Sequence, residues 1–113
     1  MTDRELLELA ATAAGYVFVV HTGYDEDEGV HVTHTWIRDH GKLVEWNPLL
    51  DDGDALRLAI KLYFAIKLEG DCVYAIGCEA QNYQLFEWHK DDPYAATRRA
   101  IVRAAAEIGK ELK

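Results

Sequence analysis

The side chains best suited to acid–base or metal chemistry are five histidines, His21, His31, His34, His40 and His89. His31 and His34 are three residues apart, so on a strand they point to opposite faces and cannot chelate one ion. His21 can approach either of them across a hairpin, but a transition-metal site needs three or four convergent ligands. The histidines therefore read as surface or half-buried polar groups. Asp51, Asp52 and Asp54 offer too few oxygens, at the wrong spacing, for calcium, and serve better as helix-capping groups. Cys72 and Cys78 would stand about 20 Å apart on one strand, too far for a disulfide. Apolar strand surroundings favour inert, reduced thiols over a Cys–His nucleophile. The chain has no serine, and neither a G-x-S-x-G elbow nor a glycine-rich phosphate loop is present. We expect no enzyme, no cofactor and no bound metal.

Interaction is the better-supported chemistry. Asp25, Glu26, Asp27 and Glu28 form an unbroken acidic run between Gly23 and Gly29, an exposed loop that is either simply solvated or a mimic of nucleic-acid phosphates. Trp36, Trp46, Trp88 and Tyr83 lie on or beside expected strands, and a domain of this size cannot bury them all. Those left exposed would mark a partner or dimer surface. The candidate partner surface is thus Asp25, Glu26, Asp27, Glu28, Trp36 and Trp88. The strands over 30–37 and 83–88 are the candidates for edge-to-edge pairing between copies. Arg98, Arg99, Arg103, Lys110 and Lys113 concentrate positive charge late in the chain without aromatic interleaving, which points to a solvated helix face.

Charge and composition narrow the field further. The net charge is −8. Residues 1–56 carry 12 acids and 3 bases, whereas residues 57–113 carry 8 acids and 9 bases. An acidic first half argues against broad nucleic-acid affinity. Half the residues are apolar and only two are proline, so 113 residues suffice for one domain, spanning 1–113, with a real core. The run over 9–20 is too short to span a bilayer, and the mixed-charge start does not resemble a signal peptide. A reduced cytosolic setting is expected.

The elements that must position these residues follow from periodicity. Thr2 and Glu5 form a capping box for a helix over 2–14, which Gly15 ends in a left-handed cap. The strand over 16–20 has no polar face and is expected to be central. The strand over 30–37 is expected near an edge, with 42–46 returning beside it. After the turn at Asn47-Pro48, Asp51 is an N-cap, Asp54 bonds back in capping-box manner, and Leu50 and Ala55 occupy staple positions. A helix over 55–68 is apolar on nearly every face. It is expected to be the buried centre of the core, with Leu56, Ile60 and Tyr63 inside. Strands over 72–77 and 83–88 follow, and Asp92-Pro93 starts the last helix. Its apolar stripe is Tyr94, Ile101, Ala105, Ile108 and Leu112. Arg103 pairs with Glu107 along it, and Arg98 is expected to meet an acid from the sheet. The order is αβββαββα, an α+β fold with a central mixed or antiparallel sheet covered by helices.

Trp46-Asn47-Pro48, Asp51-Asp52-Gly53-Asp54-Ala55-Leu56 and Asp92-Pro93-Tyr94-Ala95-Ala96-Thr97-Arg98-Arg99-Ala100 resemble the phage ABA-sandwich group, small phage and prophage proteins related to the lambdoid NinX type. The resemblance covers nearly the whole chain and is weakest over 17–37. It implies an αβα sandwich encoded by a phage or prophage, and no activity, substrate or site residues. Both the sandwich and the kinship lean on the helix after Pro48 being interior. The expected role is a non-enzymatic accessory protein that binds a host or phage protein in the bacterial cytoplasm. The alternative is a small-molecule or nucleotide binder with a pocket between sheet and helix.

Overall fold

A computed structural model describes residues 1–77, 84–88 and 91–112. In chain order the elements are α1 (Asp3–Ala14), β1 (Val17–Asp25), β2 (Val30–Asp39), β3 (Lys42–Glu45), α2 (Asp52–Lys61), β4 (Ala65–Glu69), β5 (Cys72–Ile76), β6 (Gln84–Trp88) and α3 (Pro93–Leu112). The fold is α+β, with three helices packed on antiparallel sheets. The strands form two separate sheets of three, ordered β1-β2-β3 and β4-β5-β6, rather than one central sheet. Among the described residues no helix is long and apolar enough to cross a membrane.

The helix starts follow local chemistry. Thr2 accepts from the Glu5 amide at 3.1 Å, Asp51 from the Asp54 amide at 2.8 Å and Asp92 from the Ala95 amide at 3.0 Å. Each satisfies an amide left without a partner by the first helical turn. Gly15 ends α1 at φ +79, with its amide bonded to Thr12 O and the Tyr16 amide to Ala11 O, the paired bonds of a Schellman cap.

α2 departs from expectation. It stops at Lys61 because Tyr63 takes the same left-handed position, φ +58, with the Tyr63 amide bonded to Ile60 O and the Phe64 amide to Ala59 O. The chain then leaves as β4, a strand where the sequence suggested more helix. Ala55, Leu58 and Ala59 form the buried face of α2, whereas Leu56, Ile60 and Tyr63 face water at 58%, 64% and 78% exposure. α2 is therefore an ordinary amphipathic helix, not the interior rod. Leu50, 75% exposed, makes no staple. The Asp54 carboxylate accepts the Asn47 amide at 2.9 Å, so it ties down the Asn-Pro turn instead of closing a capping box.

The interior rod is α3, which contacts α1, α2, β5 and β6. Ala100, Ile101, Val102, Ala104, Ala105, Ala106 and Gly109 are all buried, against Leu6, Leu7, Ala10, Ala11 and Ala14 of α1 and against Val73 and Ala75 of β5. Small side chains let the α1 and α3 backbones come very close. A Cβ built on Gly109 would lie 2.0 Å from Leu9 O. Of the expected stripe on this helix, Ile101, Ala105 and Ile108 are buried, but Tyr94 and Leu112 are exposed.

α3 is also tied down by its arginines. Arg98, only 16% exposed, donates to Leu49 O at 2.9 Å and to Asp52 Oδ1 at 2.6 Å, so its acid comes from α2 and not from the sheet. Glu87 of β6 is instead shared by Arg99 and Arg103 at 3.3 and 3.2 Å, and Arg99 reaches Asp3 at 3.2 Å. Arg103 thus does not pair with Glu107, which is held by Lys110 at 3.0 Å.

The first sheet reverses the expected placement of its strands. β2 is central and β1 an edge, with Val17 59% exposed. Tyr16, just before β1, and Phe18 within it share one face and pack edge-on to the buried Trp46 at centroid distances of 6.1 and 6.2 Å, while Val17 on the other face is left exposed. β5 does occupy the centre of the second sheet.

Candidate interaction surface

β1 and β2 pair over nine positions, Val17–Arg38 through Asp25–Val30, but β3 flanks β2 only over Trp36–Asp39. Residues 20–25 and 30–35 therefore extend beyond the third strand as a two-stranded arm. His21, Thr22, Val30, His31, Thr33 and His34 along it are exposed, and the candidate acidic run forms its tip. The half-buried Asp25 shapes the turn. Its Oδ1 accepts the Asp27 amide at 3.0 Å and the Glu28 amide at 3.4 Å, and its carbonyl accepts the Gly29 amide at 2.8 Å. Glu26, Asp27 and Glu28 are left projecting into solvent.

The structure does not gather the six candidate residues into one patch. Trp36 is half-buried on β2, about 20 Å from the arm tip at strand rise. Trp88 lies on the second sheet, 61% exposed. It stands edge-on to Phe86 at 5.8 Å, and Phe86 tilts against Tyr74 at 6.0 Å. Because Val73 and Ala75 are buried against α3, alternation places Tyr74, Phe86 and Trp88 together on the opposite, outer face. Phe86, 46% exposed, was not singled out from the sequence. Its spacing of two from Trp88 carried the signal, since residues i and i+2 of a strand share a face. Lys67, which lies 6.0 Å over the Tyr74 ring, borders the row, and its hydrogen bond to Glu69 holds its pKa above the ordinary lysine value.

A polar hollow of about 440 Å³ lies between the β2–β3 edge and the start of α2, lined by Thr33, His34, Thr35, Glu45, Asn47, Leu50, Asp51 and Asp54. Its polar groups are largely engaged with one another. Thr35 donates to Trp46 O, His34 lies 3.4 Å from Glu45, and Asn47 Oδ1 accepts the Leu49 amide. Asp51 caps α2, and Asp54 accepts from both Asn47 and Arg57. The Asp54 hydrogen bond raises the Arg57 pKa above its usual value. This hollow is a network that fixes the Asn-Pro turn, with few groups left for a ligand.

His21 faces His34 directly across the arm, whereas His31 stacks edge-on against Tyr24 at 5.2 Å on the other face. Among the described residues no three His, Cys, Asp or Glu side chains converge as metal ligands. Cys72 is a free, half-buried thiol. Tyr83, Cys78 and His89 lie outside the described residues.

A second apolar feature lies on the inner side of β4. Leu56, Ile66, Leu68, Tyr94 and Ile101 line an apolar groove of about 410 Å³ between α2, β4 and α3. The sequence reading missed it because β4 was taken for helix. Comparisons of the chain with protein-family models, with curated proteins and with solved structures find no match.

Proposed function

We propose that the chain is a non-enzymatic protein-binding module that docks a host or phage protein through the outer face of the β4-β5-β6 sheet. The observation that supports this reading is the aromatic row in which exposed Phe86 and Trp88 continue from half-buried Tyr74. Large, rigid aromatic side chains in contiguous exposure are costly to leave in water, and they supply much of the energy of protein interfaces. The main polar hollow favours the alternative, a small-molecule or nucleotide pocket, less, because its donors and acceptors already serve one another. A phage or prophage origin and action in the bacterial cytoplasm belong to this proposal. They rest on the Trp-Asn-Pro turn, the aspartate cap and the final helix. The exposure of Leu56, Ile60 and Tyr63 weighs against that kinship.

Affinity capture from a bacterial lysate, with wild-type bait and with the Phe86→Ala/Trp88→Ala double variant, tests the reading. A partner held by the aromatic row stays bound at high salt and is lost with the double variant. A partner that ignores the double variant, but is released by salt and by neutralising Asp25, Glu26, Asp27 and Glu28, moves the site to the arm. That result would support mimicry of nucleic-acid phosphates.

A further inference from the structure

We propose that two copies of this chain associate through β4, joined antiparallel about a two-fold axis at Leu68 into one six-stranded sheet. This goes beyond the docking reading and does not depend on it, because it uses the β4 edge, with Leu68 on the inner side and Lys67 and Glu69 at the border of the outer face, and needs neither Phe86 nor Trp88.

Among the described residues β4 ends the second sheet, and all five of its residues are exposed. Its hairpin with β5 closes at the Glu69–Cys72 pair around Gly70-Asp71, with Gly70 at φ +55 where a two-residue turn calls for glycine. The pair flanking such a turn is hydrogen-bonded, and bonding alternates along the ladder. Ala65, Lys67 and Glu69 therefore direct their backbone groups to β5, while Ile66 and Leu68 present theirs at the free edge. An open apolar edge of this kind is a template for another strand. The opposite edge is different. Arg103 donates to Phe86 O at 3.3 Å and so covers part of the free side of β6. β2, one of the two edges suggested by the sequence, is the centre of its sheet.

Charge selects both the occupant and the register. A two-fold axis at Lys67 would oppose Lys67 to its own copy. An axis at Ile66 would set Lys67 against Ala65. An axis at Leu68 sets Lys67 against the second copy's Glu69, twice by symmetry, in the non-hydrogen-bonded positions where side chains come closest. Lys67 and Glu69 of one chain are already 2.9 Å apart, so the four charges form a closed ring. In the same register Leu68 meets Leu68, and Ile66 meets Gly70, which has no side chain to obstruct it. Leu68, 68% exposed, sits at the mouth of the apolar groove beside Leu56 and Tyr94 at 58% and 70%. Pairing brings the two grooves together and covers all three residues. The contact is self-complementary, as a two-fold interface requires.

The test is sedimentation velocity over a concentration series. The full chain is expected to reach twice its 12.8 kDa mass, and Leu68→Lys to stay monomeric with its circular dichroism unchanged. Lys67→Glu and Glu69→Lys should each weaken association about tenfold, because both symmetric pairs become repulsive. Mixing those two single variants should restore a heterodimer, and combining them in one chain should restore the homodimer. Phe86→Ala/Trp88→Ala should leave the dimer intact, which separates this inference from the docking proposal. A monomer at every concentration overturns it. So does a dimer indifferent to Leu68→Lys or to the single charge reversals, or a monomer that instead takes up an extended peptide of another protein along β4.

Discussion

Gly109→Ala is the sharpest test of how α1 and α3 meet. In an ordinary helix interior this substitution stabilises by about 1 kcal/mol, because glycine has more backbone entropy to lose. Here the new Cβ would lie 2.0 Å from Leu9 O and 2.7 Å from Leu9 C. A carbon–oxygen contact needs about 3.3 Å, so the helix axes must separate by roughly 1.3 Å at a point where Gly109 is buried and Leu9 half-buried. The obstacle is backbone, which cannot rotate away as a side chain can. Overpacking of this kind costs about 3 kcal/mol at the upper end of its usual range, leaving a net loss of about 2 kcal/mol. For a chain of this length that corresponds to a melting point about 8 °C lower. Gly53→Ala is the matched control. There the Cβ meets only the movable ends of Arg57 and Asp51, at 3.1 and 3.3 Å, and a gain of about 0.5 kcal/mol is expected. Urea unfolding of both variants should give opposite signs. A Gly109→Ala protein as stable as wild type, or more so, would refute the close α1–α3 approach and the role of α3 as the interior rod.

Further expectations concern the contacts around that rod. Arg98→Met should lower stability by about 2 kcal/mol, because it removes the half-buried links to Leu49 O and Asp52. Asp52→Ala, at an exposed acid, should cost under about 1 kcal/mol. A urea midpoint that barely moves for Arg98→Met would contradict the clamp. Asp51→Ala should cost about 1 kcal/mol by removing the α2 cap, measured in the same way. Burial, with the nearby charges of Asp39 and Asp54, raises the Tyr16 pKa above 10.0. As the pH climbs past that ordinary value the unfolded tyrosine loses its proton first, so stability falls between the two ionisations. Tyr16→Phe should flatten this alkaline limb in unfolding curves at pH 9 and 11, and an unchanged slope would contradict it.

The elements most legible in the sequence were those set by neighbouring residues. Thr2, Asp51 and Asp92 cap their helices because each side chain needs only an amide two or three residues ahead, and Gly15 is the residue a left-handed cap prefers. The same motif around Tyr63 was invisible, because a tyrosine sits where glycine is usual. That hid the end of α2 and turned β4 into an imagined helix extension. The alternation of Ile66 and Leu68 with Lys67 and Glu69 was the available signal. α3 was undervalued for a different reason. Alanines contribute little area each, so a ranking by bulky side chains favours Leu56 and Ile60, while the buried face of α3 is made largely of Ala100, Ala104, Ala105 and Ala106, with Gly109 at the close approach to α1. Strand order depends on long-range pairing, which no local pattern encodes, so β1 and β2 were exchanged. The acidic turn and the exposure of Trp88 could be anticipated. The company of Phe86, the sharing of Glu87 and the groove beside β4 could not, since each requires knowing which strands are neighbours.

The rod at the centre of the molecule follows every other element in chain order. Asp3 and Arg99, which hold α1 to it, are 96 residues apart, and Asp52 and Arg98 are 46 apart. During synthesis, α1, α2, β5 and β6 leave the ribosome before the helix they pack against. Their apolar faces stay uncovered until about residue 109 has emerged from the exit tunnel. Completion of the core around α3 is therefore expected as a late event that depends on the last turns of that helix.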